Sequence, residues 1–134
     1  MTTSLSKSMG GLGLIAAMAA SSSMAQAVSV PSGTEMKLFD VIFDQEPPIA
    51  RFRFVAPDIS PSGRALQFSD VLEDFEYLCA DVVLPALAAS NQSAQVIVIS
   101  LSEREIAFGE VAPDVVQFFQ PFDISNGTCM WEEF

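Results

Sequence analysis

No histidine occurs anywhere in the 134 residues. Its absence removes the commonest general base, the histidine-activated nucleophile and the imidazole ligands of most zinc sites. Cysteine is nearly as scarce, with Cys79 and Cys129 alone. Two thiols fall short of a four-ligand zinc site, and their wide separation does not match the two-residue spacing of redox pairs. Positive charge is also thin: 6 Lys and Arg face 17 Asp and Glu, for a formal charge of −11. Such a surface repels DNA, RNA and anionic headgroups, so nucleic-acid binding is excluded. No Gly-rich phosphate loop is present, because Gly10, Gly11 and Gly13 all fall in the N-terminal apolar segment. No apolar run approaches the roughly 20 residues of a membrane-spanning helix.

That N-terminal segment has its own pattern. Lys7 is the only charge before Glu35, the apolar run Met9 to Ala20 follows it, and a small-residue tract ends in Ala25-Gln26-Ala27. A charged start, a short apolar centre and an A-x-A site constitute a secretory signal. The pattern predicts a signal peptide over 1–27, cleaved after Ala27, and a single exported domain over 28–134, located in the periplasm or secreted. Cleavage removes Lys7 and no acid, which deepens the charge by one. It leaves a domain of about a hundred residues, small enough to be only marginally stable on its core alone. In an oxidising compartment an even cysteine pair is most simply a disulfide. A Cys79–Cys129 bond closes a loop of about 50 residues, worth on the order of 4 kcal/mol by loop-closure entropy.

The domain opens with an irregular lead-in, broken by Pro31-Ser32-Gly33. Met36 to Phe43 favours a strand, with Phe39, Val41 and Phe43 on one face and Asp40 and Asp44 on the other. Arg51-Phe52-Arg53-Phe54 alternates at the period of a half-buried strand, and the prolines at 47 and 48 mark the turn between the two. Beyond a loop over 57–64, the spacing predicts an amphipathic helix from Asp70, with Asp70 as N-cap and Glu73 completing a capping box. Its wet face holds Asp70, Asp74, Tyr77 and Asp81, and Cys79 lies on the buried side. Pro85 ends or kinks it, with Ser90-Asn91 as the latest stop. Val96 to Ile99 is apolar on both faces, as in a central strand. Glu105 to Gly109 suggests a short partner strand, and Ala112-Pro113-Asp114 a single helical turn. Phe118–Ile124 and Thr128–Glu133 flank Asn126-Gly127, among the strongest hairpin signals. The expected fold is α+β: an antiparallel sheet of five to six strands with one long helix packed on it, in the order β-β-α-β-β-β-β.

With histidine absent and both cysteines oxidised, only carboxylate chemistry survives. Asp40, Asp44 and Glu46 could offer oxygen ligands to Ca²⁺, but their spacing fits no EF-hand and a solvated turn explains them. Glu132-Glu133 gives no basis for a paired-acid glycosidase. Asn91-Gln92-Ser93 and Asn126-Gly127-Thr128 match the glycosylation sequon, although the second is better explained as a turn. Arg51 and Arg53 are the one close pair of cations, on one strand face of an acidic protein. They could receive an anionic ligand or a partner's carboxylates. The plainer alternative pairs them with Asp40 or Asp44 on the adjoining strand. Phe118-Phe119 could leave one ring exposed as a docking patch.

The segments Arg51-Phe52-Arg53-Phe54-Val55-Ala56-Pro57, Val98 to Arg104 with Phe108-Gly109, Gln117-Phe118-Phe119 and Cys129-Met130-Trp131-Glu132-Glu133-Phe134 resemble a family of small uncharacterised exported proteins of Rhodobacter-type alphaproteobacteria. The resemblance spans most of the mature chain and implies a Gram-negative periplasmic setting, but no activity. Some such proteins carry the label acetolactate synthase. That enzyme is far larger, cytoplasmic, and binds thiamine diphosphate between domains, so the label is rejected. The function expected is a non-enzymatic periplasmic accessory or binding module, using no cofactor or metal. It would meet an unidentified periplasmic protein partner through Arg51, Arg53, Phe118 or Phe119, with no nucleic acid and no membrane insertion after cleavage. The alternatives are a small carboxylate-based hydrolase or lyase and a Ca²⁺-dependent module.

Overall fold

The computed structural model of the chain describes residues 26–132. The leader expected over 1–27 therefore lies outside the described residues, apart from Gln26 and Ala27. Six strands run through one sheet in chain order: β1 Gln26–Val28, β2 Met36–Gln45, β3 Pro48–Val55, β4 Val96–Ser102, β5 Gln117–Ser125 and β6 Thr128–Trp131. One long helical stretch connects β3 to β4, so the α+β class holds. The sheet is mixed rather than purely antiparallel, because β3 and β4 pair in parallel. The reason is the connection itself. A helix that returns the chain along the sheet delivers the next strand in the direction of the last, whereas a tight turn reverses it.

The element order also differs from β-β-α-β-β-β-β. Gln26–Val28 adds a strand against Met36–Leu38, where an irregular lead-in was expected. Glu105 to Gly109 forms no strand. Gly109 takes φ +83°, and Glu110 N–H donates to the Ala107 carbonyl at 3.0 Å, closing a turn instead. Ala112 to Val115 is likewise a hydrogen-bonded turn, not a helix.

The helical stretch begins as a 3₁₀ turn, Phe68–Val71. Gln67, not Asp70, is its N-cap, and the Asp70 carboxylate reaches back to accept from the Gln67 N–H at 2.7 Å. Helix α1 (Leu72–Tyr77) follows, then a π-helical turn (Leu78–Val83), then helix α2 (Leu84–Ala89). Pro85 does not end the helix, since it sits in the first turn of α2 just past the wider π turn. The stop comes at Ser90, with Asn91 at φ +56°.

Cross-strand register sorts the sheet into two faces. Toward the helix point Ala50, Phe52 and Phe54 of β3, Ile97, Ile99 and Leu101 of β4, and Phe122 of β5, all buried against Val71, Phe75, Leu78, Val83 and Leu87. Cys79 in the π turn bonds Cys129 of β6, with 6.3 Å between the Cα atoms. Trp131 shares a face with Cys129 and packs against Phe122, 5.0 Å between ring centroids. The Asn126-Gly127 hairpin forms as its dipeptide predicts, with φ of 53° and 72°. β4 is central, as its apolar composition indicates, but its second face is crossed by the 103–116 loop instead of a second layer.

Two side chains leave their expected faces. A bulge between Leu38 and Asp40 shifts the register of β2, and Phe39 turns to pack over Arg53, 4.9 Å from ring centroid to guanidinium. Asp74, expected on the wet side of the helix, is buried because the lead-in folds over it. It accepts hydrogen bonds from Ser32 N–H at 2.9 Å and Ser32 Oγ at 2.6 Å.

Candidate functional site

The face of the sheet away from the helix carries the unusual chemistry. Strand pairing aligns Asp40, Arg53, Ser100 and Phe119 in one row across β2, β3, β4 and β5. The neighbouring row holds Ile42, Arg51, Val98 and Pro121. Alternation in β3 dictates this: with Phe52 and Phe54 taken by the core, Arg51 and Arg53 must point the other way.

Over these rows lies the loop after β4. Its Ile106 carbonyl accepts from Arg53 Nη2 at 2.9 Å, and the turn at 107–110 is closed a second time by Ala107 N–H donating to Glu110 Oε1 at 3.0 Å. That turn holds Phe108 over both guanidiniums, at 5.6 Å from Arg51 and 5.5 Å from Arg53. The loop is anchored at its base by Glu103, whose N–H donates to the Val116 carbonyl and whose Oε1 accepts from Val116 N–H at 2.8 Å. The Ser60 hydroxyl and the Val116 N–H hold the Glu103 carboxyl below its ordinary range.

Between loop and sheet is a recess of about 280 Å³, lined by Arg51, Arg53, Ser100, Phe108, Gln117 and Phe119 among others. Both arginines form the ion pairs that the plainer alternative expected. Arg53 Nη1 donates to Asp40 at 2.7 Å, and Arg51 donates to Asp44 through Nε at 3.3 Å and Nη2 at 3.0 Å. The pairs do not exhaust the donors. Arg51 Nη1 and Arg53 Nε make no hydrogen bond to any described residue. Ser100 is 7% exposed, and its hydroxyl likewise bonds to no described residue. Buried polar groups are normally satisfied, so free donors on the wall of an open recess are available to a ligand.

Of the four contact residues read from the sequence, three gather here and one does not. Arg51, Arg53 and Phe119 line the same recess, merging what seemed two separate patches. Phe119 is 53% exposed, and Phe108, not singled out from the sequence, is 59% exposed. Phe118 turns to the helix side and packs edge-on against Phe68, 5.8 Å between centroids. Ser100 and Gln117 were also missed. Only knowledge of which residues face each other across β4 and β5 would have found them.

The acids are spoken for elsewhere. Asp40 and Asp44, considered for Ca²⁺, are paired with the arginines, and no group of three metal-ligating side chains gathers among the described residues. Burial and the adjacent Asp123 carboxylate push Glu132 above the ordinary carboxyl range, but neither acid lines the recess. No described helix is long and apolar enough to cross a membrane. No curated protein and no solved structure matches the chain. A family model does match, over residues 13–134, and the chain therefore belongs to the family of unknown function DUF6497.

Proposed function

We propose that the chain is a non-enzymatic binding module of the periplasm, which takes an anionic group of its partner into the recess beneath Phe108. The observation that carries this reading is the pairing of free guanidinium and hydroxyl donors with two largely exposed rings at one concave site. Guanidinium N–H groups in partly desolvated surroundings favour carboxylates and similar anions. Exposed aromatic rings beside them supply contact area that water does not satisfy. Among the described residues Glu110 is the one acid that lines the recess, it is tied to the Ala107 N–H, and no second acid lines the wall beside it, which supports binding over the hydrolase alternative. Delivery to an oxidising compartment is supported by the Cys79–Cys129 disulfide together with the secretory pattern of residues 1–27.

Thermal-shift measurements across a panel of anionic and neutral compounds test the reading, with Arg51→Gln as the paired control. Ligands that bind the native fold raise its melting temperature by mass action. Anionic members are expected to raise the Tm of the native chain and to leave Arg51→Gln unmoved. Equal shifts in both proteins would defeat the proposal.

A further inference from the structure

The recess is selective about which anion it admits, an inference that rests on the binding role proposed above. Two guanidiniums line or face it, but Asp40 and Asp44 are ion-paired to them, and Glu110 also lines the wall. Three carboxylates thus oppose two cations around the site. A dianion such as inorganic phosphate would bring its second charge into a neighbourhood already negative, in a chain of net charge −11. A monoanion needs only one set of charge-assisted hydrogen bonds, which Arg51 Nη1, Arg53 Nε and Ser100 Oγ can supply, none of them bonded to a described residue. Ser100 and Arg53 are both more than nine-tenths buried, so their donors sit on a floor, while the half-buried Arg51 stands nearer the rim.

The remaining wall is apolar. Phe108 and Phe119 line the recess with Val98 and Ile106, and the Gln117 amide adds a polar group at the end nearest the start of β5. The volume of about 280 Å³ lies at the small end of ligand cavities. That is room for one substituted ring and its acid group. We infer that the recess binds a small monocarboxylate with a flat apolar body, the arylacetate class. The carboxylate would meet Arg51, Arg53 and Ser100, and the ring would lie against Phe108 and Phe119.

Phenylacetate is the probe, titrated into the isotope-labelled exported chain and followed by NMR. Phenylacetamide removes the charge, acetate removes the ring, and inorganic phosphate and a short capped acidic peptide supply the competing anions. Phenylacetate is expected to shift Ser100, Phe108 and Phe119 saturably. Phenylacetamide, which loses the charge-assisted hydrogen bonds, is expected to bind about tenfold more weakly, and Ser100→Ala to weaken phenylacetate about fivefold. The Tm of unliganded Ser100→Ala reports whether that variant is folded, and Phe119→Ala tests the ring contact without touching the buried donors. Equal binding of phenylacetate and phenylacetamide would overturn the inference, as would tighter binding of phosphate. If the acidic peptide binds in an Arg51-dependent way while phenylacetate does not, the anion-binding role stands and the small-carboxylate inference falls. If nothing binds in an Arg51-dependent way, both fall.

Discussion

Asp74 retains 1% of its surface in contact with solvent, yet it holds the lead-in to the helix through two hydrogen bonds from Ser32. With its proton given to Asp74, the Ser32 hydroxyl accepts from the Thr34 hydroxyl at 2.7 Å, and Thr34 is itself buried. Removing the carboxylate leaves the Ser32 N–H and hydroxyl without their acceptor, a loss of about 1–3 kcal/mol. Asp74→Ala should therefore show that decrease in urea unfolding, and Ser32→Ala a smaller one. Glu103 and Glu132 predict opposite responses to pH. Glu103 titrates below its unfolded value, so the stability it confers is complete above about pH 4.5 and is lost as pH falls through the folded value. Glu132 titrates above its unfolded value, so its folded state holds the proton more tightly. Stability is then lost as pH rises from about 4.5 through the folded value, and acidification restores it. Glu103→Gln should flatten the acid limb of a stability-against-pH curve, and Glu132→Gln should remove the decline on its other side. Neither would change if these shifts were absent. Asp74 was the least legible residue in the sequence. Helical spacing alone places it with Asp70 and Asp81 on the wet face, and only a segment 42 residues away buries it.

Among the elements, those governed by local chemistry were legible and those governed by distant partners were not. Alternation in Arg51-Phe52-Arg53-Phe54 yields β3 with the right face inward, because period two is a property of any strand. Asn126-Gly127 yields its hairpin because both residues tolerate positive φ. The bulge that turns Phe39 toward Arg53 left no comparable mark, and without it Phe39 reads as core. Residues 105–109 have the composition of a strand, but their main chain is spent on a turn and on the Arg53 guanidinium. One wall of the recess is built from that loop, which is why the arginines were visible in the sequence while their enclosure was not. The disulfide joins the π turn to β6 and is the only covalent tie between the helical layer and the last hairpin among the described residues. It closes a loop of 50 residues, and loop-closure entropy assigns it about 4 kcal/mol. The double variant Cys79→Ala/Cys129→Ala should lose stability of that order in denaturant unfolding. Reduction of the native chain should produce a comparable loss, and a change below about 1 kcal/mol would show that packing of Phe122 and Trp131 already fixes the hairpin.

On the scale of the whole molecule, the first strand bears on how the chain is processed. β1 pairs Gln26, Ala27 and Val28 with Leu38, Lys37 and Met36, so the sheet starts two residues before the expected cut after Ala27. Processing there would leave Val28 alone to cover the edge of β2, exposing main-chain donors and acceptors along its free side. Ser23-Met24-Ala25 supplies small residues at the same relative spacing as Ala25 and Ala27. A cut after Ala25 would preserve all three pairings of β1. If the chain is exported as proposed, its processed form should begin at Gln26, and its intact mass should exceed that of a Val28 start by the two residues. A Val28 start would mean that β1 is not part of the working fold. In that case β2 becomes the free edge, and the exported protein should be no less stable than a chain extended to Gln26. Matching the urea midpoints of the two forms decides between them, since an edge strand that packs should raise the midpoint of the longer chain.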